Sequence, residues 1–252
     1  MKLFRIIASV AFLIWGIIVF VSSMILVLPF IIIVTWLFKG KRGHHLGFIF
    51  LKIWAYIVSV LCLFFIRSKS EKVDKSRSYI FICNHNSYLD AVATVVSTPL
   101  PFKPLGKIEL LKAPVFGMIY RRMVVMINRK DKESRSLGVE NLKKDISLGL
   151  SILIFPEGTM NRTDEALADF YDGAFRLAIE TQTAIVPVAI LNARNLLPRK
   201  NILQLKPGIV TCIYGPPIEV SGLSENELPN LKEKAHRILE GMIQKGEFNS
   251  SL

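Results

Sequence analysis

Residues 79–96 read Tyr79-Ile80-Phe81-Ile82-Cys83, then Asn84-His85-Asn86-Ser87-Tyr88, then Leu89-Asp90-Ala91-Val92-Ala93-Thr94-Val95-Val96. The first part is a short apolar run of the β type, the middle part is polar, and the last part is a longer apolar run. This order predicts a strand, a turn and a helix. The turn holds His85, one of four histidines in the chain, and the carboxylate of Asp90 follows five positions later.

The same alternation continues from residue 70 to the C-terminus. Short apolar runs predict strands and amphipathic segments predict helices, in an order typical of an α/β domain. We therefore expect a mixed, largely parallel sheet flanked by helices. The predicted strands are 79–83, 102–105, 123–127, 151–155, 184–191 and 209–214. The predicted helices are 89–96, 108–120 with a break at Pro114, 134–148, 173–182 and 225–244.

The N-terminal quarter of the chain has a different character. Residues 6–38 carry no charge, and residues 46–66 carry only Lys52. The whole chain is 51% apolar with a mean hydropathy of +0.41, which is high for a soluble protein, and the excess is concentrated in these N-terminal runs. The first run is too long for a signal peptide and lacks a small-residue cleavage site. We therefore predict membrane-embedded hydrophobic helices at 1–68 and an α/β domain at 69–252.

Length and flanking charge bear on how these runs meet a bilayer. A helix of the first run would be roughly 50 Å long, against a hydrocarbon core of about 30 Å. It is too short for two spans, so it must tilt, lie partly in plane, or kink at Ser22-Ser23 or Pro29. The flanks are basic throughout, which favours segments that dip into the cytoplasmic leaflet over two full spans. Both arrangements stay open, and both leave the α/β domain on the cytoplasmic face of the cell membrane. The flanking residues are Lys2, Arg5, Lys39, Lys41, Arg42, Arg67, Lys69 and Lys72.

The formal net charge of +12 suits an anionic membrane surface or anionic substrates. Nucleic-acid binding is disfavoured, because no element interleaves basic residues with exposed aromatics. Cys62, Cys83 and Cys212 fit neither a disulfide framework nor a zinc site, which favours a reducing compartment.

His85 and Asp90 can meet only if the histidine lies in the turn and the aspartate in the first turn of the helix. The carboxylate would then hold Nδ1 and leave Nε2 as a general base. The plain alternative is an N-cap aspartate beside an ordinary turn histidine. The chain has no Gly-x-Ser-x-Gly elbow and no Walker loop, so such a base would act on a substrate hydroxyl. The other histidines lack a second ligand pair, and no metal site is predicted.

A second turn, Phe155-Pro156-Glu157-Gly158-Thr159, follows the predicted strand 151–155. It reads either as an ordinary surface turn or as a turn whose glycine and N–H groups suit an anion. Basic residues follow other strand ends, and together they favour a phosphate-binding site over solvated surface charges. These cations are Lys107, Arg129 and Arg162, with Arg121 and Arg122 between them.

Four ordered segments resemble the conserved blocks of the glycerolipid acyltransferases, most closely the bacterial 1-acylglycerol-3-phosphate acyltransferases. They are Asn84-His85-x4-Asp90, Arg129 after its strand, Phe155-Pro156-Glu157-Gly158-Thr159, and Ile185-Val186-Pro187-Val188. The resemblance covers residues 70–220, and the N-terminal runs resemble the membrane hairpin of bacterial members.

The resemblance implies acyl transfer from acyl-CoA or acyl carrier protein to the free hydroxyl of lysophosphatidate, without a metal or other cofactor. His85 would be the base and Asp90 would orient it. Lys107 and the Gly158 region would stabilise the oxyanion. Arg129, Glu157, Gly158 and Thr159 would bind the acceptor.

Two positions depart from the pattern. Met160 stands where many relatives carry arginine, so Arg162 is expected to supply that cation. Tyr171 stands where relatives often carry lysine. Acylation of another lyso-acceptor or of glycerol 3-phosphate therefore stays open, as does a non-catalytic lipid-binding role at the membrane.

Overall fold

The computed structural model describes residues 2–70, 73–163 and 165–250, with side chains between 6 and 246 within those ranges. The helices are α1 (Lys2–Leu37), α2 (Gly40–Leu61), α3 (Leu89–Ser97), α4 (Phe116–Met123), α5 (Lys132–Ser147), α6 (Gly173–Thr181), α7 (Ala193–Leu196) and α8 (Leu228–Ser250). The strands are β1 (Phe64–Ser70), β2 (Ile80–Cys83), β3 (Phe102–Lys107), β4 (Val125–Ile127), β5 (Ser151–Ile154), β6 (Ile185–Leu191) and β7 (Gly208–Tyr214). Short 3₁₀ turns cover Ile108–Lys112, Ile202–Gln204 and Glu225–Glu227.

The described strands form one seven-stranded sheet in the order β1-β7-β6-β2-β5-β3-β4. Neighbouring strands are parallel throughout except β6 and β7, which are antiparallel. The prediction of a mixed, largely parallel sheet flanked by helices is confirmed. The segment predicted as a helix at 108–120 is a 3₁₀ turn followed by α4, with the expected break at Pro114.

Alternation along β2 divides the core into two layers, because successive strand side chains point to opposite faces. Phe81 and Cys83 pack on the face that the helices α1 to α4 cover. Ile80 and Ile82 pack on the face that α5, α6 and α8 cover. Apolar side chains from the α1–α2 hairpin therefore belong to the same core as one face of the sheet.

Strand β1 was not predicted. Within the second apolar run, helix α2 ends at Leu61 and strand β1 begins at Phe64. Strand β1 pairs with β7 in the sheet. The boundary expected at residue 68 thus falls inside a strand of the sheet. The physical reason is that the apolar side chains of Phe64 and Ile66 pack into the core of the sheet and are not part of a lipid-facing run.

The α1–α2 hairpin also presents an apolar outer surface. Large side chains along α1, among them Ile18, Leu26 and Trp36, are exposed. Both helices are long and apolar enough to cross a membrane, and a patch of this extent indicates membrane association. That the two helices dip into the cytoplasmic leaflet, and do not span the bilayer, stays a prediction.

Helix α1 continues through the positions named as possible kinks. Pro29 lies inside the helix, and the Ser22 and Ser23 hydroxyls donate to the carbonyls of Ile18 and Val19, at 2.7 and 2.5 Å. Of the basic flanking residues, Lys72 and the side chains of Lys2 and Arg5 lie outside the described part of the chain.

Candidate active site

The C-terminal ends of the parallel strands meet at one edge of the sheet. β2 runs into His85, and its parallel neighbour β5 runs into the 155–159 turn. β3 ends at Lys107, and Arg129 follows β4. Open α/β sheets bind ligands at this edge, so the predicted site residues lie where the topology favours a site.

His85 and Asp90 are paired. The distance from His85 Nδ1 to Asp90 Oδ2 is 2.8 Å, which confirms the predicted contact. Asp90 lies in the first turn of α3 with no solvent exposure. A carboxylate at Nδ1 holds that nitrogen protonated, so Nε2 is the nitrogen that can accept a proton.

Asp90 also organises the backbone of the turn. Its Oδ2 atom accepts the N–H groups of Asn86 and Ser87, each at 2.8 Å. Its Oδ1 atom is buried and has no hydrogen-bond partner among the described residues. One carboxylate oxygen therefore holds both the imidazole and the turn that carries it.

Contacts with β6 and with the loop after β5 also hold the turn that carries His85. The Asn84 side chain exchanges two hydrogen bonds with the backbone of Ile190 in β6, at 2.7 and 2.9 Å. The His85 carbonyl accepts the N–H of Asn161 at 2.6 Å. The His85 ring stacks on Phe155, with ring centroids 4.1 Å apart. The imidazole is thus held by packing as well as by hydrogen bonds.

Glu157 is buried and bonded to backbone. Its two oxygens accept the N–H groups of His85, at 2.7 Å, and Ala168, at 2.8 Å. Burial raises the pKa of Glu157 above its usual value, and these two N–H bonds oppose that rise. The carboxylate therefore links the turn of His85 to the loop after β5. The role of Glu157 in binding a substrate stays a prediction.

Gly158 needs to be glycine for two reasons. Its φ is +70°, and a Cβ there would lie 2.8 Å from the Tyr171 ring. Its carbonyl accepts a hydrogen bond from Arg129 Nη1. Burial lowers the pKa of Arg129, but a guanidinium stays charged at neutral pH. Arg129 thus supports the 155–159 turn.

The other predicted substrate-binding residues are more open. Lys107 and Arg162 are exposed, and so is Thr159, whose N–H donates to the Glu157 carbonyl at 2.8 Å. The Gly158 N–H donates to the Phe155 carbonyl at 2.9 Å. These turn N–H groups are therefore engaged within the protein, and the oxyanion role expected of Lys107 stays a prediction. Arg121 and Arg122 lie in the last turn of α4.

A cavity of about 390 Å³ lies beside the turn of His85, and we call it the basic cavity. Sequence reasoning missed most of its lining. Three of its cations come from the segment after β6, and the strand-end argument that found Arg129 would also have indicated this segment. Its polar lining residues are Asn86, Asn161, Arg162, Arg194, Arg199, Lys200 and Gln204.

Cys83 lies two residues before His85 but is not an activated nucleophile. Burial raises the pKa of its thiol well above the usual value, so it stays protonated. All three cysteines are buried and unpaired. The described residues contain no group of three or more His, Cys, Asp or Glu side chains that could hold a metal ion.

Comparison with known proteins places this geometry in context. A family model described as Acyltransferase matches residues 65–191. The Escherichia coli protein named 1-acyl-sn-glycerol-3-phosphate acyltransferase is 30% identical over 189 residues, which are 72% of this chain and 74% of that protein. A protein of the same name from Borreliella burgdorferi is 34% identical over 164 residues, 64% of each chain.

Other relatives are longer. The coconut protein of that name is 31% identical over 163 residues, 63% of this chain, and the match spans only 52% of its own length. Among solved structures, the 1-acyl-sn-glycerophosphate acyltransferase of Thermotoga maritima superposes with a TM-score of 0.81. The superposition covers 96% of this chain and 98% of that one at 19% identity, so it establishes the shared fold.

Proposed function

Because this chain belongs to the acyltransferase family, we propose that it moves a fatty acyl group from a thioester to the sn-2 hydroxyl of 1-acylglycerol 3-phosphate. The product is phosphatidate, the precursor of phospholipids. The observation that carries the proposal is the His85–Asp90 pair at the strand edge, with Nδ1 held by a fully buried carboxylate. The names of the relatives support the choice of acceptor.

In the first step His85 Nε2 takes the proton of the acceptor hydroxyl. The imidazolium that forms is stabilised by Asp90, which stays ionised. The hydroxyl oxygen attacks the thioester carbonyl carbon, and the C=O electron pair moves to oxygen. Lys107 is the candidate donor to that oxyanion.

In the second step the tetrahedral intermediate collapses. The C–O double bond re-forms, the C–S bond breaks, and the thiolate leaves with the proton that His85 holds. Ester and thiol are the products, so the histidine returns to its starting state. The thioester already carries the activated acyl group, so the proposal requires neither a metal nor a cofactor.

The hairpin supports a reaction at the membrane surface. Its packing against the same sheet that carries His85 would hold the site at the depth of a lipid headgroup. The basic flanks Lys39, Lys41 and Arg42 support a cytoplasmic orientation. Acyl-CoA and acyl carrier protein are both anionic donors that suit this surface.

A different lyso-acceptor is the second candidate. The specific observation is that Met160 supplies no charge and that the exposed Tyr171 ring lies against Gly158. A neutral or zwitterionic headgroup would tolerate both residues. Glycerol 3-phosphate and lyso-aminolipids belong in the same test.

The test is acyl transfer by the purified full chain in lipid–detergent micelles. Labelled lysophosphatidate is offered with acyl-CoA or acyl carrier protein, against a panel of other lyso-acceptors. We expect transfer to lysophosphatidate, and loss of about 10²-fold or more in His85→Ala. Full activity of His85→Ala would overturn the role of His85 as the general base, and a wild type that transfers no acyl group to any acceptor would favour a lipid-binding role. Preference for another acceptor would correct the substrate.

A further inference from the structure

The segment between α7 and β7 lies at the same edge of the sheet as His85, and we call residues 197–206 the β6–β7 loop. Its first residues are fixed to the turn that carries His85. Ser87, two positions after the histidine, donates from its hydroxyl to the Leu197 carbonyl at 3.0 Å. Ser87 and Pro198 also form an antiparallel β-bridge. The start of the β6–β7 loop and the turn of His85 are therefore held together.

The ends of the loop are closed on each other and anchored in the core. The Lys206 N–H donates to the Leu196 carbonyl at 2.9 Å. Leu196 and Leu205 are buried in the core that the α1–α2 hairpin shares with one face of the sheet. The position of the loop tip is thus set by packing on both sides of it.

The tip of the loop presents two large aliphatic side chains to the outside. It is the 3₁₀ turn Ile202–Gln204, and the Asn201 side-chain oxygen accepts the Leu203 N–H at 3.1 Å. Ile202 is 43% exposed and Leu203 is 41% exposed. The backbone of the tip is therefore organised by hydrogen bonds, while its apolar side chains have no full cover from the protein.

Isolated apolar side chains on a surface are ordinary, but this pair continues the apolar surface of the hairpin. The tip contacts α1. The N-terminal half of α1 lies at this end of the sheet, because Trp15 Nε1 donates to the Leu61 carbonyl at 2.9 Å. The Leu63 carbonyl in turn accepts the N–H of Gly208, just beyond the loop, at 3.0 Å. Exposed side chains on this half of α1 include Ile14, Ile17 and Ile18.

Basic residues flank the aliphatic pair. Lys200 and Lys206 are exposed on either side of it in the sequence. Aliphatic side chains bordered by lysines suit the interface of a bilayer, where the chains enter the acyl region and the ammonium groups stay among anionic headgroups. The sequence of α1 begins in the same way, with Lys2 and Arg5 before its charge-free run.

We propose that the β6–β7 loop is a membrane contact in addition to α1 and α2, in which Ile202 and Leu203 enter an anionic bilayer beside α1. Because the start of the loop is bound to Ser87, this contact also holds the turn of His85 at the bilayer surface. The location of the loop does not depend on the proposed function. Its effect on turnover rests on that function.

The first experiment locates the tip. Leu203→Cys is labelled with an environment-sensitive fluorophore in the full-length protein, which is placed in vesicles of phosphatidylcholine and phosphatidylglycerol. Native Cys62, Cys83 and Cys212 are buried, so the label goes to the introduced thiol. Leu137→Cys is the matched control, because Leu137 is 58% exposed on α5, which covers the other face of the sheet.

We expect the Leu203 label to be quenched by a lipid that carries a nitroxide on its acyl chain and shielded from iodide in the water. The Leu137 label should show the reverse. A Leu203 label that iodide quenches as strongly as the Leu137 label would overturn the inference. Shielding that needs no lipid and grows with protein concentration in detergent would identify a second copy of the chain as the occupant, and would also overturn it.

The second experiment tests the effect on turnover. The double variant Ile202→Ser with Leu203→Ser is compared with Leu137→Ser, and circular dichroism checks that both are folded. The acceptor is offered either as long-chain lysophosphatidate in the vesicles or as a short-chain form that stays monomeric in water. Hairpin α1–α2 is intact in both variants, so both remain bound to the vesicles.

We expect kcat/KM of the double variant to fall about tenfold with the vesicle acceptor, because two half-exposed aliphatic side chains lose their contact with lipid. The value for the monomeric acceptor should stay that of the wild type, and Leu137→Ser should be unchanged with both. An equal fall with both acceptors would show that the loop acts through the protein alone and would refute the coupling. A wild type whose Leu203 label lies in lipid but which transfers no acyl group would overturn the proposed function and leave the membrane contact standing.

Discussion

Replacing Asp90 with asparagine removes one charge from the centre of the site and almost no volume. In the structure, Oδ2 accepts hydrogen bonds from His85 Nδ1, Asn86 N–H and Ser87 N–H. An asparagine can offer one oxygen to these three donors. Its amide nitrogen must then occupy the place of Oδ1, which is buried and has no partner among the described residues.

The stability cost follows from that placement. A buried donor without an acceptor costs about 1–3 kcal/mol. In a chain of this size Tm falls by about 2–4 °C for each kcal/mol. The reverse orientation of the amide is worse, because its N–H₂ would face three donors. We therefore expect Asp90→Asn to fold with a Tm several degrees below that of the wild type.

The effect on catalysis should be larger than the effect on stability. A hydrogen bond to the imidazolium from a charged partner is worth about 1.5–3 kcal/mol, or about 10- to 150-fold in kcat. In the reverse orientation the amide N–H₂ would face Nδ1 and hold the wrong tautomer, which would raise the cost towards ~10⁴-fold. KM for both substrates should change little, because Asp90 is fully buried and does not reach them.

The assay measures initial rates well below the Tm of every variant, with circular dichroism as a check on folding. Asp131→Asn is the matched control, because Asp131 accepts the Glu133 N–H at 3.0 Å as the N-cap of α5. Asparagine caps a helix as well as aspartate does, so this variant should keep its rate. A folded Asp90→Asn protein with wild-type kcat would refute the dyad.

Three other predictions follow from the same contacts. Burial raises the pKa of Glu157, so its protonated form is favoured by folding; the free energy of unfolding relative to Glu157→Gln should fall as pH rises above the usual glutamate pKa, measured by urea titration. Gly158→Ala should lose about 1–3 kcal/mol and most activity, because φ is +70° and Tyr171 blocks a Cβ. Gly173→Ala, with open space around it, is the control and should stay within about 1 kcal/mol of the wild type. Removing residues 1–61 should yield an aggregated protein on size-exclusion chromatography, since one sheet face loses the part of its cover that α1 and α2 supply; a monodisperse, folded product would contradict the shared core.

Much of the fold can be predicted from short stretches of the sequence. The strand–turn–helix around His85, the break at Pro114 and the strands β5 and β6 follow from local apolar patterns, and the structure has them within a few residues. Strand β1 cannot be predicted in this way. Its residues Phe64 and Ile66 continue an apolar run, and only their pairing with β7 shows that they face the sheet.

The residues of the candidate site likewise include some that local sequence predicts and some that it does not. The sequence by itself determined that His85 and Asp90 meet, because a five-residue spacing across a turn is local geometry. It also determined the two long apolar helices, because runs of that length with no charge or only one suit lipid better than water. Roles at Lys107, Arg129 and Thr159 stay predictions.

Only the tertiary structure decided what surrounds His85. Strand order sets β5 beside β2, so the Glu157 carboxylate binds the His85 N–H across 72 positions of sequence. The loop after β6 brings Arg199 to the Met160 carbonyl in the same way. These contacts depend on the packing of the whole sheet between the hairpin and the outer helices, and no local pattern of residues encodes that order.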